Sequence, residues 1–286
     1  MAPDSNPPAR LEIDVEDVEY QQPNGQPMLA RLYRPRGRGP FPAIVDVHGG
    51  AWVNGDRLNN AAMDSALARA GTLVMAVDFR MPPVAPYPAA VADVNLAIRW
   101  LKANAARLRA RPDKIGGLGT SSGGQLLMLA ALRPRDPRYS ALMLDGPLAQ
   151  IAGIDARLSY IVCCWAVLSP VARYRMAQEK KIQRFLDAHR AFFGDEAAMA
   201  EADPQLALER GEVAVLPPAL LIQGLADDNL DHMIADRFAA AYKRAGGEAE
   251  LHKFVGEPHM FVTKDPASAN SLKALAMIED FIRRRG

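Results

Sequence analysis

Three residue types that together make a hydroxyl nucleophilic occur at suggestive positions along the chain. Gly119-Thr120-Ser121-Ser122-Gly123 reads G-x-S-x-G. It sits between a short apolar run and a helical pattern, so it predicts a tight strand-to-helix turn. Glycines leave room where such a turn is strained and close to other chain, and the central serine is held with its Oγ near a helix N-terminus. Ser121 is the candidate nucleophile. Ser122, the next residue, would aim its backbone N–H at the reacting group. A serine needs a base to take its proton and an acid to orient that base. Of the five histidines, His252 falls inside a predicted strand, His232 on a helix flank and His189 in a segment without strands. His48 opens a glycine loop, where it serves as a base or pins the loop. His259 stands in Gly256-Glu257-Pro258-His259-Met260-Phe261, just past the last strand. A loop at a strand's C-terminal end is where open α/β sheets place active groups, so His259 is the candidate base. The acid is expected at an earlier strand end, in Gly224-Leu225-Ala226-Asp227-Asp228-Asn229. Asp227 is preferred. Asp228 competes with it but suits the cap of a helix beginning near Asn229 or Leu230.

Acyl transfer builds negative charge on a carbonyl oxygen, and one preplaced N–H donor there is worth about 3–4 kcal/mol of barrier. His48-Gly49-Gly50-Ala51-Trp52 supplies such donors, since a glycine pair lets backbone approach a substrate closely. The N–H groups of Gly49, Gly50, Ala51 and Ser122 are the oxyanion candidates. Trp52, Tyr87, Trp165 and Phe261 are candidates for the wall of a substrate pocket; each also reads as core.

Positioning these groups requires strands that end beside one another. Leu11 to Tyr20 and Met28 to Tyr33 read as a hairpin across Pro23-Asn24-Gly25. Strands are also expected at Pro42–Val47, Leu73–Val77, Ile115–Leu118, Ile161–Trp165, Ala219–Ile222 and Leu251–Val255. Helical spacing marks Val91 to Leu101, ending near Arg111-Pro112, then Ser122 to Leu132, Leu230 to Ala241 and Leu272 to Phe281. Near-continuous apolar strands separated by helices predict an α/β fold with a mostly parallel sheet covered on both faces. Residues 169–211 break the rhythm, with helical pieces at 172–189, 197–202 and 206–211. They predict a small helical cap inserted between two strands of a single domain spanning 1–286, or else ordinary packing helices.

Composition narrows the function classes. The 286 residues carry 34 basic and 33 acidic side chains, so no electrostatic case exists for nucleic acid. The Arg31, Arg34, Arg36, Arg38 group and the Arg283-Arg284-Arg285 tail read as solvated surface. Cys163 and Cys164 are adjacent and should point to opposite faces, which argues against a disulfide and fits a reducing compartment. No signal peptide and no membrane span is expected, so a cytoplasmic protein is the default. The last strand, Glu250 to Val255, could pair with a second copy as an exposed edge, giving a homodimer.

Taken together, His48-Gly49-Gly50-Ala51-Trp52, Gly119-Thr120-Ser121-Ser122-Gly123, Gly224-Leu225-Ala226-Asp227 and Pro258-His259 resemble the α/β-hydrolase esterases. The likeness is to the H-G-G-x-W group, which resembles bacterial acetyl and feruloyl esterases and kynurenine formamidases. Residues 78–88 are similar to the D-x-R-x-x-P stretch of hormone-sensitive-lipase-like esterases. The resemblance covers residue 27 onward. It implies an eight-stranded sheet, a Ser-His-Asp triad, hydrolysis of carboxylic esters through an acyl-enzyme, and no metal or organic cofactor; the modest insertion suggests small to medium substrates. Ala51 replaces the third glycine of the H-G-G-G esterases, which leaves amide or formamide substrates as an alternative. A non-catalytic ligand-binding protein on the same fold is the reading from another class.

Overall fold

Runs that are apolar on both faces form the inner strands of one eight-stranded sheet. The computed structural model describes residues 10–22, 25, 27–144, 151 and 153–286. The strands are β1 (Ile13–Gln21), β2 (Met28–Pro35), β3 (Phe41–Val47), β4 (Leu73–Val77), β5 (Ala110–Thr120), β6 (Ile161–Cys164), β7 (Ala219–Gly224) and β8 (Ala249–Phe254). Their order is β1-β2-β4-β3-β5-β6-β7-β8. β1 and β2 pair antiparallel, as does β2 with β4; every other neighbour is parallel. Every residue of β4, β6 and β7 is buried, the signature of strands covered on both sides. The expected hairpin is present, although Pro23 and Asn24 of its turn lie outside the described residues.

The helices are α1 (Ala61–Arg69), α2 (Ala89–Ala103), α3 (Ser121–Leu132), α4 (Pro137–Ser140), α5 (Pro170–Glu179), α6 (Gln183–Phe193), α7 (Glu196–Glu201), α8 (Pro204–Glu209), α9 (Met233–Arg244), α10 (Phe261–Lys264) and α11 (Ala269–Arg285). One core joins alternate strand residues to Val91, Val94 and Ile98 of α2, the apolar residues of α3, and Phe238 and Tyr242 of α9. The other joins the opposite strand faces to Met63 and Leu67 of α1 and Ile278 and Phe281 of α11. Cys163 falls in the first core and Cys164 in the second, both unpaired, as their adjacency requires.

Two boundaries differ from the sequence expectation. Helix α2 ends at Ala103 rather than near Arg111-Pro112, and those two residues lie in β5. Pro112 is tolerated there because the β3–β5 ladder is interrupted between Phe41 and Ala43. Residues 172–189 are two helices, broken at Lys181, which has φ 55°. The four helices α5–α8 stand between β6 and β7. Their starts are set by side chains: Ser169, Asp195 and Asp203 each accept from a first-turn N–H, and Pro170 and Pro204 follow their caps.

Candidate active site

Residues 119–124 pack too closely for most side chains. A Cβ on Gly123 would lie 2.2 Å from the carbonyl oxygens of Val47 and His48, and one on Gly119 would lie 2.7 Å from Gly124 Cα. These two glycines let β5 turn directly into α3 beneath the loop that follows β3. Ser121 takes φ 51°, a left-handed conformation that a residue with a Cβ adopts only when its surroundings enforce it. That turn lifts its hydroxyl off the end of β5 at the first residue of α3.

His259 Nε2 lies 3.0 Å from Ser121 Oγ, and His259 Nδ1 lies 2.8 Å from Asp227 Oδ2. The carboxylate can only accept, so Nδ1 carries the proton and Nε2 is left to accept from the serine hydroxyl. Asp227 Oδ2 also accepts from Gln223 Nε2 at 2.9 Å, and Oδ1 accepts the N–H groups of Asn229 and Leu230 at 2.8 and 2.9 Å. Burial opposes the charge on Asp227. The hydrogen bond and charge of His259, helped by Gln223 and Asn229, outweigh it and hold the carboxyl below its ordinary value. Gly224 permits the meeting of the two loops, because a Cβ there would stand 2.3 Å from Glu257 O. Ala226 N–H donates to that same carbonyl, clamping the aspartate loop to the histidine loop.

The structure thus brings together the three residues read from the sequence and separates the two carboxylates. Asp228 is exposed and caps nothing. Asp227 closes the turn after β7, and Asp231 accepts the first N–H of α9.

The loop after β3 is folded back on itself. Gly50, Ala51 and Trp52 have φ 120°, 52° and 66°. Among the described residues the N–H groups of Gly49, Gly50 and Ala51 donate to no protein acceptor, whereas Trp52 N–H is taken by Ser122 Oγ at 3.2 Å. A Cβ on Gly49 would touch Ser121 Cβ at 2.9 Å, so this loop runs directly against Ser121. His48 pins it: Nδ1 lies 2.6 Å from Gly49 O and the ring stacks on Phe79 at 4.3 Å. Burial lowers the pKa of His48, as befits a structural imidazole.

The four pocket candidates have a different place from the one expected. Trp52 is fully buried, stacked on Phe192 with Nε1 donating to Gln125 at 2.8 Å. Trp165 and Phe261 pack edge to face in the second core, below the histidine loop. Tyr87 sends its hydroxyl to Tyr139 and Glu201. These aromatics hold loops in place. A large apolar side chain gives the same sequence signal in a core as in a pocket wall, and of the two readings the core one fits Trp52, Trp165 and Phe261, while Tyr87 is half-buried. Sequence reasoning also missed Gln223, Gln125 and the buried Arg173. Nothing in their local pattern distinguishes them; only the fold brings them to the site.

Among the described residues there is no cluster of three or more metal-ligating side chains, and no helix is long and apolar enough to cross a membrane.

Comparison with known proteins places the chain in a family. A family model, BD-FAE, matches residues 31–241. Esterase LipC of Mycobacterium tuberculosis is 32% identical over 195 residues, which is 66% of this chain and 45% of LipC. An arylesterase of Saccharolobus solfataricus is 34% identical over 146 residues, 51% of this chain and 45% of that protein. The matched stretches span less than half the length of these relatives. Among solved structures, a hyperthermophilic esterase from Pyrobaculum calidifontis superposes with a TM-score of 0.77 at 27% identity, covering 95% of this chain and 85% of the other. A Thermogutta terrifontis esterase with propionate bound gives 0.73 at 25% identity, covering 98% and 95%. A mostly parallel eight-stranded sheet, a glycine-flanked serine turn and a family model matched over most of the length lead to one assignment: the chain belongs to the BD-FAE family and has the α/β-hydrolase fold.

Proposed function

We propose that the protein is a serine carboxylic-ester hydrolase acting on small to medium esters, with Ser121 as nucleophile, His259 as base and Asp227 as orienting acid. The observation that carries this is the continuous hydrogen-bonded chain from Asp227 through His259 to Ser121, 2.8 and 3.0 Å in its two steps. As Ser121 Oγ attacks the ester carbonyl, its proton passes to His259 Nε2. The resulting imidazolium is held by Asp227, already ionised and saturated with donors. Negative charge on the carbonyl oxygen is met by N–H groups of Gly49, Gly50 or Ala51 and of Ser122. The alcohol leaves with the proton from His259, and water then attacks the acyl-enzyme by the same route. No metal and no organic cofactor enters any step. Helices α5–α8 form a cap over this end of the sheet within one domain. The names of the relatives, esterase and arylesterase, support the ester reading.

A fluorophosphonate should label the protein stoichiometrically, and Ser121→Ala should abolish labelling. Aryl acetate should be turned over faster than an N-formyl aryl amine. The reverse order would shift the assignment to an amidase, and absence of labelling would leave a ligand-binding protein. The reading includes a cytoplasmic location and pairing of two copies along the free edge of β8. Sedimentation velocity showing only monomer would remove the pairing.

A further inference from the structure

The first helix of the inserted segment carries a cation with no anion. Arg173, in α5, is 2% exposed, and among the described residues no carboxylate oxygen lies within 4.0 Å of it. Its guanidinium lies 4.0 Å above the Phe185 ring and 5.7 Å from the Trp52 ring. Among the described residues its side chain makes one hydrogen bond, a long one of 3.4 Å from Nε to Asn229 O, and Nη1 is buried without a partner. Burial lowers its pKa to about 10, so it remains a cation at neutral pH. Leaving a buried charge unpaired is costly, and ordinary proteins pair it or expose it.

The surroundings place this charge at the reaction site. Trp52 follows Ala51 in the loop that runs against Ser121, and Asn229 is two residues beyond Asp227. The chain entering α5 is itself bound to the nucleophile's backbone, since Val167 N–H donates to Ser121 O at 2.9 Å. Asp227 faces Arg173 but is already engaged by four donors. His189, packed against Trp52, is pushed down to about 4 by burial and then by Arg173, so it is neutral and supplies no counter-charge. Arg184, 4.7 Å from the Phe185 ring, adds positive charge. A cleft of about 580 Å³ reaches Asp227 and Leu230 from the neighbouring face of α5, Ala172 and Met176, and Arg173 stands behind that lining rather than in it.

We infer that Arg173 is a specificity residue that receives a carboxylate of the substrate, so that the preferred esters are anionic ones bearing a free carboxylate beyond the scissile carbonyl. This rests on the ester-hydrolase reading above. The carboxylate takes the place of the missing counter-ion and pairs with Nη1 in a water-poor site, where a charge-assisted bond is strong.

The test compares matched esters that differ in charge. Monoethyl glutarate against ethyl pentanoate places the carboxylate on the acyl side; 4-acetoxybenzoate against phenyl acetate places it on the alcohol side. In wild type, kcat/KM for the anionic member of one pair should exceed that of the neutral member by about tenfold or more. Arg173→Met should erase that ratio, mainly through KM, and Arg173→Lys should restore part of it. A loss common to both esters cancels in the ratio, so weakened packing on Phe185 does not imitate the effect. Labelling of each variant by a fluorophosphonate shows that its site is assembled. Should Arg173→Met fail to fold, the wild-type and Arg173→Lys ratios decide. Turnover of neutral esters with ratios at or below one in both pairs, or a high ratio unmoved in Arg173→Met, overturns this inference and leaves the hydrolase reading intact. Loss of all turnover together with absence of labelling overturns both.

Discussion

Asp227 and Asp228 are neighbours with opposite fates, and the difference comes from what each oxygen meets. Asp227 is enclosed and accepts four hydrogen bonds, including the one from His259. Asp228 is exposed and engages none of these groups. Asp227→Asn would place an amide opposite His259 Nδ1 and favour the tautomer with its proton on Nε2, where it cannot accept from Ser121. A loss of kcat of about 10⁴-fold is expected, while Asp228→Asn should stay within about twofold. Steady-state hydrolysis of an aryl acetate at pH 8 measures both; equal effects would show that the acid is misassigned. The choice between the two carboxylates was readable as a preference from the spacing to Gly224. What the sequence did not show is that Asp227 performs both tasks, orienting the histidine and closing the turn, so that no capping role is left for its neighbour.

At the level of elements, the triad depends on strand ends brought together by residues without side chains. Gly224 is the clearest case, because a methyl group there collides with the Glu257 carbonyl two residues before His259. Gly224→Ala should push the histidine loop away from Ser121. Misplacement by about 1 Å costs about 100-fold in rate, while most of the fold's packing survives. The expected outcome is a kcat reduced by that factor in a protein whose unfolding temperature drops only a few degrees; a fully active variant would mean the loop has room to shift. All eight strands were legible in the sequence, the inner ones as short apolar runs and β1 and β8 as alternating segments, whereas the order of the strands in the sheet was not. Helix α1 was not read. Of its nine residues four are alanine, and its apolar stripe reduces to Met63 and Leu67, too little to mark a period. The break at Lys181 was equally silent, since lysine carries no turn preference. The choice between pocket and core was open for a third reason: Trp52, Trp165 and Phe261 are as apolar as any pocket wall, and their burial is decided by what packs against them.

The molecule as a whole is held by polar groups at two places, one half-buried and one fully buried, and each predicts a measurable behaviour. Glu201, at the end of α7, meets Tyr87, Arg133 and Arg138, which belong to the body of the fold. Glu201→Gln weakens that junction, so trypsin should cleave after Lys180 or Lys181 at least about threefold faster, with the core fragments still resistant; unchanged cleavage would mean the four helices are held by their apolar contacts alone. The second place lies beneath the serine turn. Asn60 Nδ2 donates to both oxygens of Asp46, at 3.1 and 3.0 Å, and lies 3.2 Å from Thr120 Oγ1, the residue before Ser121. Asp64, at the start of α1, is fully buried with neither oxygen hydrogen-bonded. Burial, and for Asp64 also the charge of Asp46, raises the pKa of both acids above the ordinary carboxylate value. An acid whose pKa is higher folded than unfolded holds its proton better in the native state. Its contribution to stability is therefore largest below the unfolded value near pH 4 and shrinks as pH rises toward the folded value. Asp64→Asn mimics the protonated acid and removes the share of that dependence that Asp64 carries. The variant and wild type should unfold at similar temperatures at pH 4, and the variant should unfold about 2–4 °C higher at pH 8. Thermal scans across that range decide the matter. A gap that stays constant with pH would show that both carboxyls keep the same proton occupancy folded and unfolded, and that this pair does not couple the core beneath the serine to solution pH.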